Sequence, residues 1–454
     1  MIKYAERQLT GEQQLGLKQR LARHVNVYRV IAAVGFIIAM VLVMVIPAQM
    51  SGASPWAYYY GVKNFSHGKL VIDNQLFSQQ MKEAGQQGGM LMQYVPIGPN
   101  KWALEKAPGY VFYMVPFEWL GIPRWGNVLL AAGTVLVTFL WLKRLRDEKT
   151  ACLGSLLILF TPIGLIMLNR AYMDTFASLA FLAMGGGLYF YYLLDREKWS
   201  QSRGGALLFL AFLLISWSVV TRYSNLPIAI ILALHFLITR FISLRKGDSA
   251  RLGSEITSVI LGVGLPMAVL LLYNYFVFGS PLDYGYKHTI FPVKFAYEYL
   301  GQVNASGQSL PLQIIIDNLK TVPQALFMGF PLLVIGIPAA IIVLWQKFSC
   351  RRGVQGRWNG LSAELPWGTL LVLIGWFLSV YILYMMYEFT AEFLKSGTSF
   401  FRYSRYYLPG LFPVAIICAL VISRFPRKFS IPLMVLIIAA GAILYFQVAL
   451  NPHA

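Results

Sequence analysis

The chain has 454 residues, of which 57% are hydrophobic and 13% charged, with a mean hydropathy of +0.59. A soluble globular protein carries roughly a quarter charged residues, so soluble, disordered and nucleic-acid-arm classes are excluded together. The formal charge of +19 belongs, in a membrane protein, mainly to cytoplasmic loops and calls for no nucleic-acid partner.

Apolar runs recur from end to end, which predicts an all-α polytopic membrane protein with residues 1–454 as a single transmembrane domain. A spanning helix needs about 20 largely apolar residues. The first run, 30–48, follows a polar stretch and reads as a permanent anchor rather than a cleavable signal peptide. Further spans are expected at 127–142, 150–168, 175–194, 205–220, 226–239, 256–278, 322–345, 367–387, 407–423 and 431–447, making about 11 in all. The patch 109–120 is short, holds Glu118 and two prolines, and reads as re-entrant or interfacial. Cys152, Cys350 and Cys418 show neither CxxC nor Cys/His spacing, so no disulfide framework or zinc site is implied. No pair among His24, His67, His235, His288 and His453 has metal-ligand spacing.

Orientation follows from the positive-inside rule. With residues 1–28 cytoplasmic, the short inner segments hold well over half of the 38 basic residues. Three long loops, 49–125, 279–321 and 388–406, then lie outside, and so does the C-terminus. No GxxxxGK[ST] motif is present, which argues against ATP-driven transport.

Carboxylates at membrane depth are costly and mark candidate sites. Asp174, in Asn169-Arg170-Ala171-Tyr172-Met173-Asp174-Thr175, sits in a short outer turn. It reads either as the N-cap of the next span or as a general base facing an external cavity. Glu105-Lys106-Ala107-Pro108-Gly109-Tyr110 closes the first outer loop; Lys106 suits a phosphate or a snorkelling role. The aromatics of Tyr273-Asn274-Tyr275 and of the Phe278-Gly279-Ser280-Pro281-Leu282 turn suit an interface belt. Arg405, in Arg405-Tyr406-Tyr407-Leu408-Pro409, and Arg222 suit bidentate phosphate contact or headgroup snorkelling.

Together these segments resemble the membrane glycosyltransferases of the GT-C fold, in particular the lipid A aminoarabinose transferases and the protein O-mannosyltransferases. The order matches over nearly the whole chain. A first span leads to a loop with an aromatic stretch, Trp56-Ala57-Tyr58-Tyr59-Tyr60, expected as interfacial helix. A Lys-Pro-like turn follows at Lys106, an Arg-Ala-Tyr-Met-Asp turn at Asp174, a Phe-Gly-Ser-Pro-Leu turn at 278–282, and an Arg-Tyr-x-x-Pro start at Arg405.

The resemblance implies transfer of a sugar from a polyprenyl-phosphate donor to a lipid, glycan or protein hydroxyl. The reaction would take place on the outer face of a prokaryotic plasma membrane, in the service of the cell envelope. It implies Asp174 as catalytic carboxylate and Lys106 and Arg405 as donor-phosphate contacts, with Arg222 a further candidate on residue type and position alone. It names no metal ligand and no certain cofactor, and leaves room for a divalent cation. The family's usual Asp shortly after the first span is absent here. Glu105, Asp73, Asp283 and Glu118 are the candidate substitutes. A transporter or flippase of a lipid-linked or anionic substrate is the alternative, as is a relative that has lost catalysis. Long loops on one face and the lack of visible repeats favour a one-sided site over alternating access.

The topology has a direct test. In intact cells a Ser66→Cys variant should react with an impermeant thiol reagent, whereas Trp358→Cys should be protected. The reverse pattern would invert the chain in the membrane.

Overall fold

The structure is a computed structural model that describes residues 26–47, 50, 53–87, 90, 93–248, 250–289, 294–304, 307–350, 365–388 and 405–450. Arg402 therefore lies outside the described residues, and so does most of the 388–406 loop.

Helix α1 (Val27–Val45) is apolar beyond Arg29 and is capped by Asn26, whose side chain accepts the Tyr28 N–H at 3.1 Å. The first long loop then folds into three helices and a small sheet. These are α2 (Ala53–Ser66), β1 (Val71–Ile72), α3 (Asn74–Gln86), β2 (Tyr94–Gly98), β3 (Lys101–Leu104) and α4 (Gly109–Trp119). The sheet is antiparallel in the order β1-β3-β2. Nothing in the all-helical reading anticipated it. Helix α4 has 11 residues, about 16 Å at 1.5 Å per residue, and cannot cross a bilayer core of about 30 Å. It packs against α2, which is largely covered rather than exposed: Trp56, Ala57, Tyr58 and Tyr60 are buried.

The bundle follows as α5 (Pro123–Leu145), α6 (Glu148–Leu159), α7 (Pro162–Asn169), α8 (Asp174–Leu194), α9 (Gln201–Thr221), α10 (Leu226–Arg245) and α11 (Leu252–Phe278). After the second long loop come α12 (Leu310–Gly329), α13 (Leu333–Cys350), α14 (Trp367–Met385), a 3-10 turn (Arg405–Gly410), α15 (Leu411–Ile422) and α16 (Arg427–Leu450). Among the described residues nine helices are long and apolar enough to cross a membrane. The pair α6–α7, bent by 60° at Thr161-Pro162, makes a tenth if it counts as one span. The bend has a local cause, since proline opens α7 and donates no hydrogen bond back to α6. The expected span 322–345 is corrected: the chain breaks at Phe330-Pro331-Leu332, between α12 and α13. Composition is apolar straight through the break, so hydropathy alone does not reveal it.

Helices α8, α9 and α11 form the most closely packed part, with α5 alongside α8. Alternating helix direction brings the start of α8 and the ends of α9 and α11 to one end of the bundle, together with the first long loop. The opposite end is tied by buried charge. Glu255, 2% exposed, accepts from Arg196 Nε at 2.7 Å and also meets Arg240 and the Tyr192 hydroxyl. Removing one partner of a buried ion network strands the others, at about 3–5 kcal/mol. Glu255→Ala is therefore expected to lower the thermal midpoint strongly in detergent. Glu197→Ala, at an exposed position on the same end, should hardly change it.

Candidate functional site

The site grows from the Asn169–Asp174 turn. Asn127 is fully buried and donates to the carbonyls of Leu168 and Arg170, both at 3.1 Å. Tyr110 donates from its hydroxyl to the Ala171 carbonyl. These two side chains, from α5 and α4, hold the turn at both edges. Of the two readings of Asp174, the helix cap does not hold. Met173 occupies that position, no side chain caps the helix, and Asp174 is its first residue. Its carboxylate is half-buried, has the Thr175 hydroxyl at 3.4 Å and faces the buried Tyr58 phenol. It sits at the N-terminus of α8, the positive end of the helix dipole.

Lys106 reaches the same end by two close backbone approaches. A Cβ on Gly109 would lie 2.6 Å from the Val220 carbonyl carbon, so only glycine lets α4 start directly on the end of α9. A Cβ on Gly285 would lie 2.4 Å from the Glu105 carbonyl oxygen, so the turn after α11 also needs glycine there. The Lys106 side chain is 13% exposed. Its ammonium contacts Glu105 Oε1 at 3.1 Å and the Tyr286 hydroxyl at 3.3 Å, and lies 4.7 Å from the Tyr286 ring centre. Burial works against the lysine charge. The Tyr286 oxygen and the Glu105 carboxylate outweigh it, and the Lys106 pKa lies above the ordinary lysine value. The second oxygen of Glu105 accepts from the Thr289 hydroxyl at 3.2 Å.

Arg222 is the C-cap of α9, where the negative end of the helix dipole suits a cation. Its guanidinium lies over the rings of Tyr406 (5.4 Å) and Tyr384 (5.9 Å) and acts on the charge of Asp174. Its buried Nη1 has no hydrogen-bond partner among the described residues. Arg405 donates to the Tyr406 hydroxyl at 3.3 Å, so it joins the cluster through that residue.

Of the residues named from sequence, Asp174, Lys106, Glu105 and Arg222 thus act on one another or on Tyr286, and Arg405 reaches them through Tyr406. The other carboxylates have separate employment. Asp73 is exposed and caps α3, accepting the Leu76 N–H at 2.8 Å. Asp283 is held by His288 Nε2 at 2.9 Å and by its neighbour's backbone N–H. Glu118 accepts from the Tyr172 hydroxyl at 3.1 Å, on the flank of the Asp174 turn. Sequence reading missed Tyr58, Asn127, Tyr286 and Tyr384. Asn127 carried a signal, as a polar residue opening an apolar run; the tyrosines were lost among the 26 in the chain.

Among the described residues no three His, Cys, Asp or Glu stand together as a metal site. Asp174 has Arg222 for a neighbour and Glu105 has Lys106, so the two site carboxylates do not form a cation cage. An almost wholly apolar cavity of about 390 Å³ lies between α12, α13, α14 and α15. Phe377 and Tyr381 form its α14 wall, and Tyr381 is one helical turn from Tyr384.

No family model and no curated protein sequence matches the chain. Solved structures do. An Archaeoglobus fulgidus oligosaccharyltransferase in the apo form is 12% identical with a TM-score of 0.54, over 94% of this chain and 56% of its own. The same organism's AglB, in complex with an inhibitory peptide and a dolichol-phosphate, is 13% identical with a TM-score of 0.50, over 94% and 56%. ArnT from Cupriavidus metallidurans, bound to undecaprenyl phosphate, is 12% identical with a TM-score of 0.50, over 90% and 62%. A further oligosaccharyltransferase structure holds zinc and sulfate. The chain spans a little over half the length of these proteins. It has the GT-C fold, a bundle of membrane helices with its long first loop folded at one end.

Proposed function

We propose that the protein transfers a sugar from a polyprenyl-phosphate donor to a hydroxyl acceptor at the end of the bundle where Asp174, Lys106 and Arg222 meet. The observation that carries this reading is a division of labour among the charges. Asp174 is not used as a cap, and Arg222 presents a buried N–H without a partner among the described residues. Lys106 is already balanced by Glu105. Two solved structures of the same fold hold dolichol-phosphate and undecaprenyl phosphate, which agrees with a lipid-phosphate donor here.

In this reading the acceptor oxygen attacks the anomeric carbon as its proton passes to Asp174. The bond from that carbon to the phosphate oxygen breaks, and the lipid phosphate leaves with the electron pair. Negative charge grows on the phosphate as the bond breaks. A fixed cation there stabilises the transition state more than the ground state. Arg222 is best placed for this role, because its planar fork can bind two oxygens. Lys106 adds a second positive charge, oriented by Glu105 and Tyr286, and Arg405 lies farther out. The apolar cavity beside Tyr381 accommodates part of the lipid chain. With no cation cage at the site, no step is assigned to a metal.

The test is reconstitution with labelled polyprenyl-phosphate sugars. General-base assistance contributes about 10²–10⁴-fold, so Asp174→Asn should lose turnover by that order at unchanged expression. Arg222→Met and Lys106→Met should each lower turnover strongly. Lys101→Met, at an exposed β3 position five residues from Lys106, should behave as the parent protein. Near-parental turnover in Asp174→Asn would return that residue to a structural role, and equal small effects at 101 and 106 would remove Lys106 from the site.

A further inference from the structure

The 279–321 segment reads from sequence as an outer loop, and its described residues present apolar side chains outward. Leu282 is 76% exposed, Leu300 75% and Val303 61%. Helix α12 continues the pattern, with Leu312, Ile316 and Leu319 exposed at i, i+4 and i+7 on one face. The opposite face is anchored, since Asn318 is fully buried and donates to the carbonyls of Met385 (2.7 Å) and Tyr387 (2.9 Å) at the end of α14. Helix α12 also carries Asp317 and Lys320 and is not among the helices apolar enough to cross a membrane. An exposed apolar surface of this extent marks an interaction site.

The neighbouring helix identifies the partner. Leu265, Leu272 and Phe276 of α11 are exposed along one face of a spanning helix and so point to lipid. That face runs directly into Leu282. Cations edge the same surface: Lys287 lies over Tyr284 at 5.3 Å and Lys294 over Tyr299 at 5.2 Å, with Lys320 exposed beyond them. Apolar side chains flanked by lysine and tyrosine suit the headgroup–acyl boundary, where amphipathic helices bury one face about 5–10 Å deep.

We propose that the described residues of 282–319 lie in that boundary of the bilayer, with Leu282, Leu300, Val303 and the α12 stripe inserted and the lysines meeting anionic headgroups. The turn bearing Tyr286 belongs to this segment and touches Lys106 and Glu105. The floor of the site is thereby set at headgroup level, and a lipid phosphate reaches it by moving in the plane of the membrane. The placement itself stands independently of the transfer reaction.

The test uses single cysteines at Leu282→Cys, Leu300→Cys and Ile316→Cys, with Lys101→Cys as control, in a full-length chain whose three natural cysteines are replaced by alanine. Each carries an environment-sensitive fluorophore in nanodiscs of phosphatidylglycerol and phosphatidylethanolamine. Nitroxide lipids should quench the three probes several-fold more than aqueous iodide does, and the ratio should reverse at position 101. If one variant does not fold, Val303→Cys reads the same surface. Iodide quenching equal to that at position 101 would place the segment in water. Quenching by neither agent would mean that protein, such as a second copy of the chain, covers it. Either result overturns the proposal, and neither depends on whether the protein transfers sugar.

Discussion

Two helix ends and one turn meet because Gly109 has no side chain. Its backbone lies so close to Val220 and Thr221 that any Cβ would overlap them. This contact sets the Lys106 turn on the end of α9, one residue from Arg222. The start of α8 brings Asp174 to the same place. The dipoles there are matched to the charges, with the carboxylate at a helix N-terminus and the arginine at a C-terminus. Without the contact the protein would carry the same charged residues on separate elements. With it, charges of both signs lie among Tyr58, Tyr286, Tyr384 and Tyr406.

The two ends of the bundle use charge differently. Away from the site, Glu255 is enclosed by Arg196, Arg240 and Tyr192, and Arg144 pairs with Asp195. Those charges are answered by fixed partners and hold loops together. At the site end Arg222 makes no ion pair among the described residues and lies instead over the Tyr384 and Tyr406 rings. That asymmetry separates the candidate site from the structural ion pairs.

Much of this was legible in sequence, for a physical reason. A bilayer demands about 20 apolar residues per crossing, so most spans stand out from composition. The cost of a carboxylate at membrane depth likewise singled out Asp174. Hydropathy could not see the break between α12 and α13, because Phe330-Pro331-Leu332 is as apolar as its surroundings. Nor could it see the sheet, whose strands are as short as Val71–Ile72. Asp73 and Asp174 look alike as isolated acids near turns. Only the fold shows that the first caps a helix while the second does not. The roles of Tyr58 and Tyr286 depend on contacts between segments distant in sequence, which periodicity does not encode.

The account stands on the claim that Arg222 and Asp174 flank the place where a lipid phosphate is held. An experimental structure of the full chain in nanodiscs with a bound polyprenyl phosphate measures this directly. The account predicts phosphate oxygens at hydrogen-bond distance, about 3 Å, from Arg222 Nη1, on the side facing Asp174, with the lipid chain entering the cavity beside Tyr381. A phosphate held away from Arg222, at Arg405 alone or among Arg196 and Arg240 at the other end, would contradict it.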